Sequence, residues 1–221
     1  TGLLLFGKCI FVKQTSHTMA FEYSSFISYR HNDLNETYFE NLKDFLKSEV
    51  FSATNIAEIF YDKVSIKWGV LWDNKIYSGI EESFFFLPVW YYHYLNEDNL
   101  WCARELYHAL EIEKIIRNQL TPKDQDKFAF IFPLIYKGSA ELIPSCLSEK
   151  NAKSLVGYEI PIKTKKVNKK FQDVINNIYD TLLEQYLILE KYAHVDFQTL
   201  FQQIKRPSDA EIKEWIKAQK K

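Results

Sequence analysis

Residues 84–90 read FFFLPVW, seven apolar side chains in a row. A run of strand length with no polar alternation offers no face to water, so it reads as a strand buried on both sides. That is the place of a central strand in a parallel sheet covered by helices. Working outward, residues 24–29 (SSFISY) and 57–61 (AEIFY) lie upstream with the same β-rich character. Residues 128–136 (FAFIFPLIY) and 154–160 lie downstream, and Pro133 places an irregularity or an edge in the fourth strand. Between them stand helical signals. Asn35 or Thr37 caps a helix with apolar positions Phe39, Leu42, Phe45 and Leu46. A second helix is expected over 73–83, and Asn96, Glu97, Asp98 and Asn99 offer N-caps for a third over about 100–118. Residues 121–127 read as a loop, and 141–147 as one or two helical turns. No Asn-Gly or Asp-Gly hairpin signal interrupts the alternation. The expectation is a doubly wound α/β fold with a five-stranded parallel sheet.

Beyond residue 160 the pattern changes. Lys163, Lys165, Lys166, Lys169 and Lys170 form a basic run, read as a solvated link rather than a nucleic-acid contact. Phe171, Ile175, Ile178, Leu182, Tyr186 and Leu189 then step by 4, 3, 4, 4 and 3, an amphipathic helix over about 168–191. Shorter helical patterns cover 194–205 and 208–220, with Ser208 after Pro207 as a cap. At the other end, residues 1–18 precede Met19, the sole methionine. They read as an upstream read-through, an expression remnant or an accessory strand. The organisation expected is therefore an N-terminal segment over 1–18, an α/β domain over 19–162 and a helical C-terminal extension over 163–221.

Composition removes several classes of function. Lys and Arg number 28 against 29 Asp and Glu, a net charge of −1, so no basic field exists to grip nucleic acid. Cys9, Cys102 and Cys146 are scattered, which argues against a disulfide framework, and no Cys/His spacing marks a metal site. The apolar runs fall far short of the ~20 residues that span a bilayer. A soluble, cytoplasmic protein is the expectation. Neither GxGxxG, GxxxxGK[ST] nor GxSxG occurs, which removes the conventional dinucleotide, P-loop and serine-hydrolase readings.

What remains lies at the carboxyl ends of the strands, where open α/β sheets bind ligands. Tyr29, Arg30 and His31 follow the first strand, residues 62–72 follow the second, and Trp101 to Glu105 open the third helix. On that helix Trp101, Glu105 and His108 are spaced 4 and 3 and share a face, while Cys102, Leu106 and Ala109 form the neighbouring core stripe. A ring and a carboxylate one turn apart can stack a base and hold a ribose diol. Spacing alone favours the plainer alternative, a surface carboxylate beside a partly buried tryptophan. His31 and His108 read as polar surface residues rather than bases, and Cys102 as a buried, inert thiol.

Phe26-Ile27-Ser28-Tyr29-Arg30 resembles the first box of TIR (Toll/interleukin receptor) domains. Ile59-Phe60-Tyr61-Asp62, then Gly69 and residues 76–83, look like the second strand, BB loop and next helix of that family. Residues 85–89 and the later Trp101-Cys102-x-x-Glu105-Leu106 are similar to its third strand and the following helix. The resemblance covers residues 20–160 in order and implies a flavodoxin-like sheet. In the enzymatic branch of the family it implies that Glu105 is the catalytic residue for NAD+ cleavage. It further implies that Trp101, Tyr29 and Arg30 line the nucleotide pocket, and that a closing BB loop brings Lys67, Trp68, Gly69 and Trp72 to it. The complete site would lie between two subunits, so activity would depend on self-assembly.

The function expected on this basis is an NAD+ nucleosidase releasing nicotinamide and ADP-ribose or a cyclic isomer, with NAD+ as substrate and neither cofactor nor metal. The setting expected is bacterial antiphage defence. Homotypic TIR contacts and an upstream sensor protein or nucleic-acid-containing complex would drive assembly. The alternatives are a non-catalytic TIR scaffold and, more distantly, a flavodoxin-like binder of a cyclic nucleotide.

Overall fold

A computed structural model describes residues 21–30, 39–44, 46–47, 56, 58–61, 72–137, 143–150, 152–156 and 169–219, and within them Phe26 joins three strands of the sheet. It lies in strand β1 (Ser25–Ser28), which pairs in parallel with β2 (Ile59–Phe60) on one side and β3 (Phe86–Trp90) on the other. Phe26 is in register with Phe60 and with Phe86, and the three rings stack at 5.0 and 5.6 Å. All three are buried, and each such ring contributes about 1.5–3 kcal/mol by leaving water. Strands β4 (Leu134–Ile135) and β5 (Lys153–Ser154) complete a five-stranded parallel sheet of order β2-β1-β3-β4-β5. The expected doubly wound, flavodoxin-like α/β architecture is what forms.

The fourth strand is shorter than the nine residues its sequence offered, for a reason in the backbone. Phe86 bonds β4 through its own N–H to Phe130 O and its carbonyl to Phe132 N–H. Alternation places the Pro88 nitrogen on the same side, where it has no hydrogen to give. Pro133 on the opposing segment lacks one too, but its backbone faces β5, where its carbonyl accepts from Lys153 N at 2.9 Å. The ladder breaks between the Phe86–Ile131 bridge and the Val89–Leu134 pair. β5 also departs from expectation, beginning at Lys153; residues 157–160 lie outside the described set.

Helix α1 (Trp72–Glu81) and α2 (Trp101–Gln119) flank β1. Residues 39–44 and 46–47 are helical, with Phe39, Leu42 and Leu46 buried; the expected caps Asn35 and Thr37 lie outside the described residues. In α2, Ala103, Leu106, Ala109, Ile112 and Ile116 form the fully buried stripe. Its N-cap is Leu100, not one of the polar residues before it, although Asn99 Oδ1 accepts from Trp101 N at 3.3 Å. The supposed loop 121–127 contains a short helix, α3 (Pro122–Gln125), started by proline at a position where its missing N–H costs nothing. The turns expected over 141–147 form as α4 (Ser145–Ser148).

Gly79 on α1 is required by β2. A Cβ there would stand 2.5, 2.6 and 2.7 Å from three carbons of the Phe60 ring, which is locked by its stack on Phe26. Gly79→Ala is expected to destabilise the fold by about 1–3 kcal/mol despite its gain in helix propensity, as a chemical denaturation curve would show. A neutral or stabilising effect would mean that Phe60 moves freely.

The extension is helical as expected, with α5 (Lys169–Glu190), α6 (Phe197–Phe201) and α7 (Asp209–Gln219). On α5, Gln185 Oε1 accepts from the Ala129 amide at 2.9 Å and Tyr186 packs against Phe84 at 5.2 Å. Helices α6 and α7 both rest on α2. Ser208 caps α7 in a reciprocal box, since Glu211 Oε2 accepts from Ser208 N at 2.7 Å and Ser208 Oγ accepts from Glu211 N at 3.3 Å. With Lys205 alongside, this arrangement lowers the Glu211 carboxyl from its ordinary 4.5 to about 2. A depressed carboxyl stabilises the fold above its unfolded value and loses that contribution as pH falls toward the folded one. Protection of the α7 amides, taken as exchange relative to the intrinsic rate at each pH, is therefore expected to fall between about pH 4.5 and 2, and Glu211→Gln to remove that acid dependence.

Candidate functional site

In a sheet of this order the strand sequence reverses between β1 and β3, and the crevice beyond their carboxyl ends is where such folds take ligands. Three elements converge there. Ser28 ends β1, Tyr94 stands in the turn after β3, and Glu105 projects from the second turn of α2. Ser28 Oγ donates to Glu105 Oε2 at 2.5 Å and lies 2.5 Å from Tyr94 Oη.

Glu105 is only 6% exposed. The surface-carboxylate reading of its spacing is therefore wrong. The Trp101–Glu105–His108 face of α2 is turned inward as well as the Cys102–Leu106 stripe, because Glu105 meets the end of β1 and His108 meets Glu81 and Tyr77 of α1. His108 is likewise buried rather than a surface residue; its Nε2 contacts Glu81 Oε1 at 2.9 Å and its ring meets Tyr77 edge-on at 4.7 Å. Cys102 is buried, as expected of an inert thiol. Burial, reinforced by the negative potential of Cys102 and Glu105, holds the Tyr94 phenol well above its ordinary range. It stays protonated and available as a donor.

The other residues named from the sequence divide. Arg30 follows Ser28 on the same edge and its Nη1 donates to His93 O at 3.1 Å, tying the end of β1 to the turn after β3. Tyr29 points the other way, as strand alternation demands, and stacks on Phe39 at 3.7 Å. Trp101 is half-buried one turn before Glu105, with the Arg104 guanidinium 5.2 Å from its ring centroid. It lines a cleft of about 370 Å³ together with Glu97, Asp98, Arg104, Asp209 and Lys213. Arg104 is ion-paired with Asp209 across that cleft, so α7 of the extension forms one of its walls. Glu105 does not line it. Trp72 opens α1, its side chain lying outside the described residues, as do His31, Lys67, Trp68 and Gly69. Lys169 starts α5 and is exposed, and residues 163–168 of the basic run also lie outside.

Sequence reading missed Ser28 and Tyr94 as partners of the carboxylate. Ser28 sat inside the quoted box without a role, and Tyr94 was hidden in an aromatic run, YYHY, that has no period. Glu113 was missed as well. It is buried, and its Oε2 accepts from Phe130 N at 2.9 Å and Ile131 N at 3.1 Å while Lys150 pairs with Oε1.

Among the described residues no cluster of three or more His, Cys, Asp or Glu is arranged to hold a metal ion. Among them, too, no helix is long and apolar enough to cross a membrane. A family model described as TIR domain matches residues 26–126, the span from β1 to just past α3. No curated protein matches the chain.

Proposed function

Residues 26–126 carry a TIR domain, and from that premise we propose that the protein cleaves the nicotinamide–ribose bond of NAD+ through Glu105. The observation that supports this reading is the position of a buried carboxylate at the β1/β3 switch point, gripped by a hydroxyl of β1. The reaction asks for little more. The C1′–N bond breaks with its electron pair passing to the pyridinium nitrogen, so nicotinamide leaves neutral and needs no general acid. The ribose becomes oxocarbenium-like, and a fixed negative charge beside it is the effective form of stabilisation. Glu105 also has the chemistry to accept hydrogen bonds from the ribose diol. Water adds to C1′ and releases a proton to give ADP-ribose, or an adenine nitrogen adds to give a cyclic isomer. Trp101, one turn before Glu105 on α2, and Arg30, two residues beyond Ser28, are assigned to the nucleotide, with Trp68, Gly69 and Trp72 expected from the loop that closes over it.

We assign the activity to an assembled state, formed by TIR–TIR contacts and driven by an upstream sensor, as befits an effector of bacterial antiphage defence. The second reading, a scaffold without catalysis, draws support from the same burial, because a purely structural carboxylate would also be enclosed and hydrogen-bonded. Nicotinamide release from NAD+ by the purified protein at low and high concentration, with Glu105→Gln alongside, separates the two. Cleavage that climbs steeply with concentration and vanishes in the variant supports the enzyme. No cleavage in any assembled state supports the scaffold.

A further inference from the structure

Ser28 stands between two oxygens, and its donation to Glu105 decides the direction of the other contact. A serine hydroxyl has one proton to donate, and an ionised carboxylate only accepts. The 2.5 Å contact with Glu105 Oε2 uses the Ser28 proton, so the 2.5 Å contact with Tyr94 must run from the phenol to Ser28 Oγ. The result is a one-way chain, Tyr94 O–H to Ser28 O–H to the Glu105 carboxylate. We propose that Ser28 and Tyr94 are positioning residues that hold Glu105 ionised and aimed for its reaction, an inference that rests on the catalytic reading of Glu105 given above.

Each link is built into a different element. Ser28 is fixed by the β1 ladder opposite Pro88. Tyr94 is fully buried, its amide is bonded to Tyr91 O at 2.9 Å, and its ring packs on Trp90 at 5.5 Å. The chain is therefore rigid at both ends, and it meets α2 one turn beyond Trp101. Burial alone disfavours a charged carboxyl. Short bonds from hydroxyl donors favour it, and donors that cannot swing away supply that preference without reorganisation. Polarisation of the middle hydroxyl by the phenol strengthens its bond to the carboxylate, which gives Tyr94 an effect on a group it does not touch.

Other titratable groups surround this chain. Tyr77 on α1 is within electrostatic reach of Glu105, and burial raises its phenol. Cys102 on α2 and Cys146 on α4 act on Tyr94, and the Cys146 thiol is pushed up to about 11. Tyr77 and Cys146 therefore do not change charge in the acid range where a carboxyl titrates. Arg104 remains cationic throughout.

The test is direct titration of the Glu105 carboxyl by carbon NMR in protein labelled at the glutamate side-chain carbon, the resonance being assigned by its loss in Glu105→Gln. Tyr94→Phe removes a single oxygen from a buried ring and preserves its packing. Ser28→Ala removes the central link. Glu105 is expected to titrate about one pH unit higher in Tyr94→Phe and higher still in Ser28→Ala. With NAD+ as substrate, the acid limb of kcat/KM should move in the same direction, and kcat should fall about 10-fold in Tyr94→Phe with KM little changed. A variant that merely loosened the fold would lower the melting temperature without moving either titration. Unchanged Glu105 titration in folded Tyr94→Phe and Ser28→Ala would overturn the proposal. Because the NMR readout needs no turnover, absence of NAD+ cleavage by the wild type would remove the catalytic reading while the titration still decided the chain.

Discussion

Glu105→Gln is expected to lower nicotinamide release by at least about 1,000-fold while leaving the protein folded, at the upper end of what one preorganised electrostatic group supplies. Glutamine keeps the length and shape of the side chain and presents one carbonyl oxygen to Ser28 Oγ, whose bond is thereby retained in neutral form. The stability cost should be close to that of weakening one hydrogen bond, about 1 kcal/mol. What disappears is the negative charge, and with it the stabilisation of the oxocarbenium-like ribose. Glu105→Ala is a poorer experiment for this protein. It strips the acceptor from Ser28 at a site that is buried, leaves a void beside Tyr94, and adds about 1–3 kcal/mol for the orphaned donor. A loss of activity there would mix chemistry with folding. The informative comparison is therefore the glutamine variant, with thermal unfolding recorded beside single-turnover nicotinamide release at high protein concentration. Wild-type cleavage that persists at more than a tenth of its rate in folded Glu105→Gln would remove Glu105 from the chemistry.

The sheet could be read from residues because its signals are local. FFFLPVW announces a doubly covered strand, and SSFISY and AEIFY precede it at βαβ spacing. Side-chain periodicity likewise placed α5 to within a residue or two. Strand ends were harder, because ladder length depends on what the neighbour can donate: Pro88 of β3 interrupts the pairing of β4, which the residues of β4 do not show by themselves. The site was legible in part. Glu105 was located by resemblance, whereas helical spacing pointed to a surface residue. Burial of that face arises from β1 and α1, both remote in the chain, which no local period on α2 can encode. Ser28 and Tyr94 meet only once β1 and the turn after β3 are laid side by side, 66 residues apart in the chain.

The same helix that presents Glu105 is anchored two turns later by Glu113, and breaking that anchor should cost more stability than any surface change. Glu113 Oε2 takes the amides of Phe130 and Ile131, on the segment leading into β4, and Oε1 meets the Lys150 ammonium, itself 14% exposed. Arg117, 3.8 Å from Oε1 and much more exposed, adds little. Glu113→Ala leaves two amides without their acceptor and a largely enclosed ammonium without its counter-charge. Removing one partner of a buried pair costs about 3–5 kcal/mol, because the survivor keeps its desolvation penalty. Set against a total stability of about 5–15 kcal/mol, that brings the protein close to unfolding at moderate temperature. Glu113→Gln keeps an acceptor for the amides and should fall well short of the alanine cost. Pairing Glu113→Ala with Lys150→Met removes the stranded ammonium and should recover part of the loss, which a denaturant-unfolding double-mutant cycle would measure. Additive losses in that cycle would mean that the ion pair contributes nothing and that Glu113 acts through the two amides alone.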